Sequence, residues 1–428
     1  LEFWRREEEC GVQIQMDKLH VNIIERVKVA PCLPSPKSIL QLSSLDNITR
    51  CFVNVLLVYD GVSATDPAKT IREALSKVLV YYSPFAGRLR NKENGDLEVE
   101  CSGEGAVFVE AMADNNITVL QDLDEYNPSL QQLIFSVPMD TNIEDLHLLS
   151  VQVTCFTCGG FVVGISSYHS ICDGKGLGHF IKGMSEFSRG AFKPSLEPIW
   201  KREMVKLEDL MYLQFYHFEV IPRPLKFEKL VQAASIGINF ETINSIKRCM
   251  MEECKENFST FEIVAALVWL ARTKTFQIPH SENVKLIFAV DMRTSFDPPL
   301  PKGYYGNAVG IAGAIDNVKD LLSGSLLHAV IIIQKTIFSL KENFISRILM
   351  KPSTLDVNMK HENVIFLANW RDLGFYEADY GCGNAVNVSP IDPQREHESP
   401  MQSSFMLLRS SKNMPNGIKI QMFMPASM

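Results

Sequence analysis

Apolar and polar positions along the chain follow two periods, and the places where one gives way to the other mark the elements. Asp66-Pro67 combines a helix N-cap with a first-turn proline, and Ile71, Leu75, Val78, Leu79 and Tyr82 then recur at helical spacing, predicting a helix over about 68–82. Asn94-Gly95 and Gly103-Glu104-Gly105 are turn signals beside Leu97–Cys101 and Val107–Glu110, which read as a meander of short strands. The alternating stretch Leu149–Cys155 and the β-branched, aromatic run Phe161–Ile165 flank a glycine turn and predict a hairpin in a mostly buried sheet. Beyond Gly174, the residues Leu177, Phe180, Ile181, Met184 and Phe187 return to helical spacing. His169 therefore falls at a strand end, and Asp173 falls at a helix N-terminus, where the dipole favours a carboxylate.

Pro194, Pro198, Pro222 and Pro224 punctuate a stretch of weak periodicity over 193–228, which predicts a long crossover between two domains. Regular patterns resume with Ser259-Thr260-Phe261-Glu262, a capping-box signature ahead of an apolar helix over 261–272, and with a strand over 285–291. Phe405–Leu408 and Ile418–Met424, joined through Asn416-Gly417, predict a late hairpin. Strands interleaved with helices in both halves give an α/β protein of two sheets, with domains over 16–192 and 229–428.

Composition narrows the function classes. At 428 residues, 46% hydrophobic and 21% charged, the chain is long enough for two cores. A net charge of -8 and the lack of a basic run with interleaved aromatics argue against a nucleic-acid surface. No apolar run reaches the ~18 residues that span a bilayer, so a soluble, cytoplasmic protein without a membrane partner is expected. The ten cysteines form no framework, and Cys155-x-x-Cys158 lacks the second pair a zinc site needs, so no metal is expected. Leu1–Gln15 are charged, aperiodic and lack the apolar core of a signal peptide.

Candidate chemistry centres on His169, the one histidine of nine with an aspartate four residues on. A neutral imidazole takes up and returns a proton near neutral pH, which suits a general base; a hydrogen-bonded structural histidine is the alternative on pattern alone. Gly174-Lys175-Gly176-Leu177-Gly178 has neither Walker nor dinucleotide spacing, and its glycines read as close packing at a helix start.

Two further stretches complete a signature. Val290-Asp291-Met292-Arg293 leads into Gly303-Tyr304-Tyr305-Gly306-Asn307, and Asp379-Tyr380-Gly381-Cys382-Gly383 lies near the C-terminus. With His169-x-x-x-Asp173-Gly174, these resemble the ordered motifs of the plant BAHD acyltransferases, over nearly the whole chain from Met16 to Met428. The family's Asp-Phe-Gly-Trp-Gly has Tyr380 and Cys382 here in place of Phe and Trp. Ile24–Lys37, Asp66–Lys69, Ile278–Lys285 and Gly303–Asn307 look like the yew taxane acyltransferases within that family, and Phe375–Asp379 and Asn384–Pro390 like their 2α-O-benzoyltransferase branch.

The resemblance implies two chloramphenicol-acetyltransferase-like domains around a channel, with the segment at about 365–390 returning to the first sheet and the last domain truncated at Met428. It implies a monomer that binds no cofactor and takes acetyl-CoA or benzoyl-CoA as cosubstrate with a taxane alcohol. His169 would be the general base, Asp173 and Arg293 a buried pair supporting it with Gly174, and Ser259, Thr260 and Asn307 part of the CoA channel. The second motif, Asp379 to Gly383, would shape the channel largely from a distance, with Cys382 at the position of a Trp that packs near the reacting centre in relatives; a plain structural turn is the alternative. A catalytically weakened ligand-binding relative, an enzyme of the family acting on another plant alcohol or amine, and, more remotely, a condensation domain are the competing readings.

Overall fold

The computed structural model describes residues 19–34, 37–120, 128–137, 141–205, 230–342, 359–391, 403–410, 414 and 416–425. The leader, Met16, the crossover beyond residue 205 and Met428 lie outside those residues, and with them the expectations placed there.

The hairpin that carries His169 is the centre of the first sheet. β8 (Phe161–Tyr168) is buried at every position and runs antiparallel to β7 (Leu149–Phe156). The sheet has six strands in the order β1 (Val21–Val29), β6 (Ala106–Ala113), β7, β8, β3 (Phe52–Tyr59), β13 (Asn387–Pro390). Two helices cover one face. α2 (Pro67–Tyr81) is capped by the Asp66 carboxylate and buries Ile71, Ala74, Leu75, Val78 and Leu79 at spacings of three and four. α3 (Gly174–Ser188) packs beside it, and Leu177, Phe180, Ile181 and Met184 join the same apolar cluster.

The second sheet is ordered β11 (Val309–Asn317), β10 (Asn283–Asp291), β12 (Val364–Asn369), β14 (Ser404–Arg409), β15 (Ile418–Pro425), β9 (Leu230–Ile238). β14 and β15 form the late hairpin, with Asn416 in the left-handed conformation that Asn-Gly turns favour. α5 (Thr260–Thr275) and α7 (Leu326–Glu342) fill its core around Trp269 and Ile333. The capping box at Ser259 and Glu262 is closed in both directions.

Two expectations need correction. Leu97–Glu100 (β5) pairs with β2 (Ile39–Gln41) and β4 (Arg88–Asn91) in a small three-stranded sheet, whereas β6 belongs to the main sheet, so the two do not form one meander. Gly103 and Gly105, both at positive φ, turn the chain from one sheet to the other. The returning segment begins later than 365, because β12 lies inside the second sheet and only β13 pairs with β3 of the first.

A half-buried polar cluster beside the small sheet is expected to make stability pH-dependent. His147 Nδ1 lies 3.0 Å from Arg88 Nη2, which also meets Glu104 Oε2 at 2.9 Å. Burial, then the Arg88 and Lys28 charges, push the His147 imidazole down to about 4. The unfolded chain takes up this proton at about pH 6.5, so stability is lost as pH falls from there towards 4. His179 on α3 is likewise pushed down to about 4, by burial and then by Arg293 and Lys175, and adds to the same trend. The melting temperature should therefore drop between pH 6.5 and 4, and His147→Gln should flatten part of that drop in a calorimetric pH series.

Candidate active site

The loop from His169 to Asp173 joins β8 to α3 and is tied down at nearly every residue. The His169 amide donates to Cys51 O at 2.7 Å, and the Ile171 amide to Tyr168 O at 3.0 Å. Ser170 Oγ donates to Thr49 O at 3.0 Å. The imidazole is partly exposed, yet its Nδ1 is buried and meets no hydrogen-bond partner among the described residues.

The hydrogen-bond partners of Asp173 lie on α3 and in the second domain. Its side chain caps α3, with Oδ1 accepting from the Gly176 amide at 2.9 Å, and Oδ2 accepts from the Ala308 amide at 3.1 Å. Arg293 Nη2 completes the set at 2.8 Å from Oδ1, with both residues buried. The guanidinium also donates to Gly306 O at 3.0 Å, and its Nη1 to Asp291 Oδ1 at 3.1 Å. Burial works to lower the Arg293 pKa, but Asp173 and then Asp291 outweigh it and hold it well above the usual arginine range.

Gly174 begins α3, where a Cβ would lie 2.7 Å from the Leu373 side chain. At Gly176 and Gly178 a Cβ would fall 1.9 Å from Tyr305 O and 1.7 Å from Leu373 O, so these glycines let two backbones touch the helix.

The remaining expected residues separate. Asn307 holds the loop from outside it: its Nδ2 donates to His169 O at 2.8 Å and to Asp46 Oδ1 at 2.8 Å. Ser259 spends its hydroxyl on the cap of α5, accepting from the Glu262 amide at 3.2 Å. Thr260 lines a cavity of about 730 Å³ with Arg371, Tyr376, Asn384, Arg409 and Gly417.

Asp379 to Gly383 is a turn far from His169. Asp379 Oδ1 accepts from the Gly381 and Gly383 amides at 2.8 and 2.9 Å, and both glycines have positive φ. Tyr380 is buried edge-on to Tyr59, with ring centroids 5.6 Å apart. Cys382 packs on Gly61, where a Cβ would lie 2.8 Å from Cys382 O. His169 adjoins the opposite end of β3, where Tyr168 pairs with Phe52, so at ~3.3 Å per residue roughly 23 Å of strand separates the two.

The placement of Cys382 near the reacting centre is therefore corrected: the sequence does not reveal which end of the sheet β13 brings it to. Cys382→Trp should leave kcat within about twofold of the wild type, as for a substitution without contact to reacting atoms, and act on melting temperature instead.

Sequence reasoning missed Asp46 and Arg202, both buried, with Arg202 Nε 2.8 Å from Asp46 Oδ2. The only sequence signal was Ser43-x-x-Asp46, the spacing of a capping box, which closes in both directions at the start of a very short helix, α1 (Ser44–Ile48). Among the described residues no group of three or more His, Cys, Asp or Glu could hold a metal ion. No helix of the described residues is long and apolar enough to cross a membrane. Cys158 Sγ accepts from the Ile117 amide at 3.4 Å, a packing contact.

Two α/β units, with a histidine loop of the first clamped by residues of the second, define the two-domain acyltransferase class. The fold matches the crystal structure of vinorine synthase with a TM-score of 0.76 at 21% identity, covering 95% of each chain. A transferase family model matches residues 19–428. The chain is 69% identical to a 2-alpha-hydroxytaxane 2-O-benzoyltransferase of Taxus cuspidata, over 96% of this chain and 94% of that one. It is 60% identical to a taxadien-5-alpha-ol O-acetyltransferase of Taxus chinensis, at the same coverage. The chain belongs to this transferase family, the BAHD acyltransferases, and is an acyl-CoA-dependent acyltransferase with acyl-CoA as its cosubstrate.

Proposed function

We propose that this protein moves an acyl group, benzoyl before acetyl, from CoA to a hydroxyl of a taxane diterpenoid, with His169 as general base. Because Nδ1 is buried, Nε2 is the ring nitrogen assigned the base's role in this reading. Nε2 takes the hydroxyl proton as the oxygen attacks the thioester carbonyl, forming the new C–O bond and a tetrahedral intermediate. That intermediate collapses with cleavage of the C–S bond, and the CoA thiolate takes up the alcohol's proton from the imidazolium. Base catalysis of this kind contributes typically ~10²–10⁴-fold, and holding the two substrates together supplies much of the rest. Asp173 and Arg293 do not touch the substrates in this reading; they fix the loop.

The cavity at Thr260 is the proposed seat of the CoA phosphates. Arg371 and Arg409 line it, and the N-terminus of α5 favours an anion. Val386, in its wall, donates its amide to Val58 O at the end of β3 remote from His169.

The observation that carries the acceptor and the acyl group is the 69% identity to the benzoyltransferase across almost the full length of both chains. The expected working form is a monomer in the cytoplasm, and nine described cysteines that are all free thiols support that compartment. The test is a matrix of benzoyl-CoA, acetyl-CoA and phenylpropanoyl-CoA against taxane alcohols differing in the position of the free hydroxyl. The highest kcat/KM should fall on benzoyl-CoA with a free 2α-hydroxyl. A preference for acetyl-CoA on a 5α-hydroxyl would reassign the substrates, and no turnover with any pair would reject the reading.

A further inference from the structure

Beside the Asp173–Arg293 pair, a second acid–arginine pair, Asp46–Arg202, adjoins the loop and is the more deeply buried. Asp46 is 0% exposed and Arg202 2% exposed. Every oxygen of Asp46 is engaged. Oδ2 accepts from the Ser43 amide at 2.9 Å and lies 2.8 Å from Arg202 Nε. Oδ1 accepts from Asn307 twice, from its amide at 3.1 Å and its Nδ2 at 2.8 Å.

From that carboxylate two arms reach the histidine loop. Asn307 Nδ2 donates to His169 O at 2.8 Å, and Arg202 Nη2 donates to Ile171 O at 2.6 Å. Arg202 is itself oriented by Trp200, whose ring lies 3.9 Å from the guanidinium carbon and whose carbonyl accepts from Nη1 at 2.9 Å. The backbone of Gly306 leaves room for it, since a Cβ there would lie 2.3 Å from that carbon.

We propose that Asp46, Arg202 and Asn307 are positioning residues for His169, a brace that fixes the carbonyls of residues 169 and 171 while Arg293 fixes Asp173. The three come from the N-terminal segment, the start of the crossover and the second domain, so the ring is aimed only when all three parts are docked. The brace touches neither substrate. Its loss tilts the loop and misaims Nε2, and a displacement of about 1 Å at a reacting centre can cost on the order of 10²-fold in rate. This inference rests on the reading of His169 as the base, and the experiment separates the two.

Asn307→Ala, Arg202→Met and Arg202→Lys are compared with wild type and His169→Ala, using the best acyl-CoA and taxane pair at a temperature where circular dichroism shows each variant folded. Asn307→Ala should lower kcat on the order of 10-fold to 10²-fold while KM for both substrates changes by less than about threefold. Arg202→Lys, which keeps a donor and the charge, should recover part of the rate lost in Arg202→Met. Independently of turnover, carbethoxylation of His169 by diethyl pyrocarbonate, followed by mass spectrometry, should change in rate in Asn307→Ala. Wild-type kcat and an unchanged carbethoxylation rate in a folded Asn307→Ala, with His169→Ala inactive, would overturn the brace and leave the base intact. Full activity in His169→Ala would remove the base, and the carbethoxylation rate then decides the brace alone.

Discussion

His169→Ala should abolish measurable acyl transfer, with kcat down by at least the ~10²–10⁴-fold that a positioned general base contributes. Binding should survive. The loop is anchored through the His169 amide and carbonyl, through Ser170 and through Asp173, and none of these contacts uses the imidazole. Removing the ring therefore vacates a partly exposed polar site and leaves its frame standing. Isothermal titration of CoA into the variant should give a Kd within about threefold of the wild type, the signature of an interaction needed for the reaction step rather than for binding. Rates near wild type in this variant would remove the mechanism.

The second large effect is on stability. Asp173 and Arg293 join the two domains through a pair that also caps α3 and holds the Gly306 and Ala308 backbone. Removing one partner leaves the other charged and buried, which typically costs ~3–5 kcal/mol. Asp173→Asn and Arg293→Ala should each lower the urea midpoint strongly. The double variant should be far less destabilised than the sum of the two, because the second removal strands no further charge. Additive losses in that cycle would show that the pairing contributes nothing of its own. Asp291, which also reaches Arg293, moderates the effect of Asp173→Asn and predicts that this is the milder of the two single changes.

What the sequence disclosed was local. Asp66-Pro67 and Ser259-x-x-Glu262 are caps whose donors and acceptors lie within three residues, and both close as their spacing requires. The fully buried β8 and its hairpin partner follow from an apolar run around a glycine turn. Pairings between distant segments were not disclosed in this way. The glycines at 103 and 105 announce a turn, but nothing in them says that β5 and β6 enter different sheets. The place of Cys382 depends on β13 pairing with β3, and its neighbours give no hint of which strand end it reaches.

At the site itself, Asp173 and Arg293 could be joined only through the resemblance, since their contact crosses two domains. Asp46 and Arg202 carry no pattern that distinguishes them from surface charges. Their burial comes from tertiary packing around Trp200, Tyr304 and Tyr305, where the guanidinium lies over three rings.

The measurement that bears most directly on the account is the stoichiometry of a single reaction. Purified protein is incubated with benzoyl-CoA and a taxane bearing a free 2α-hydroxyl, and free CoA and taxane ester are quantified together by mass spectrometry. The account predicts one ester formed for each CoA released, with neither product above background when the acceptor or His169 is removed. CoA release without ester would show that water, not the alcohol, takes the acyl group, and an unconsumed thioester would show that the site performs no acyl transfer; either result contradicts it.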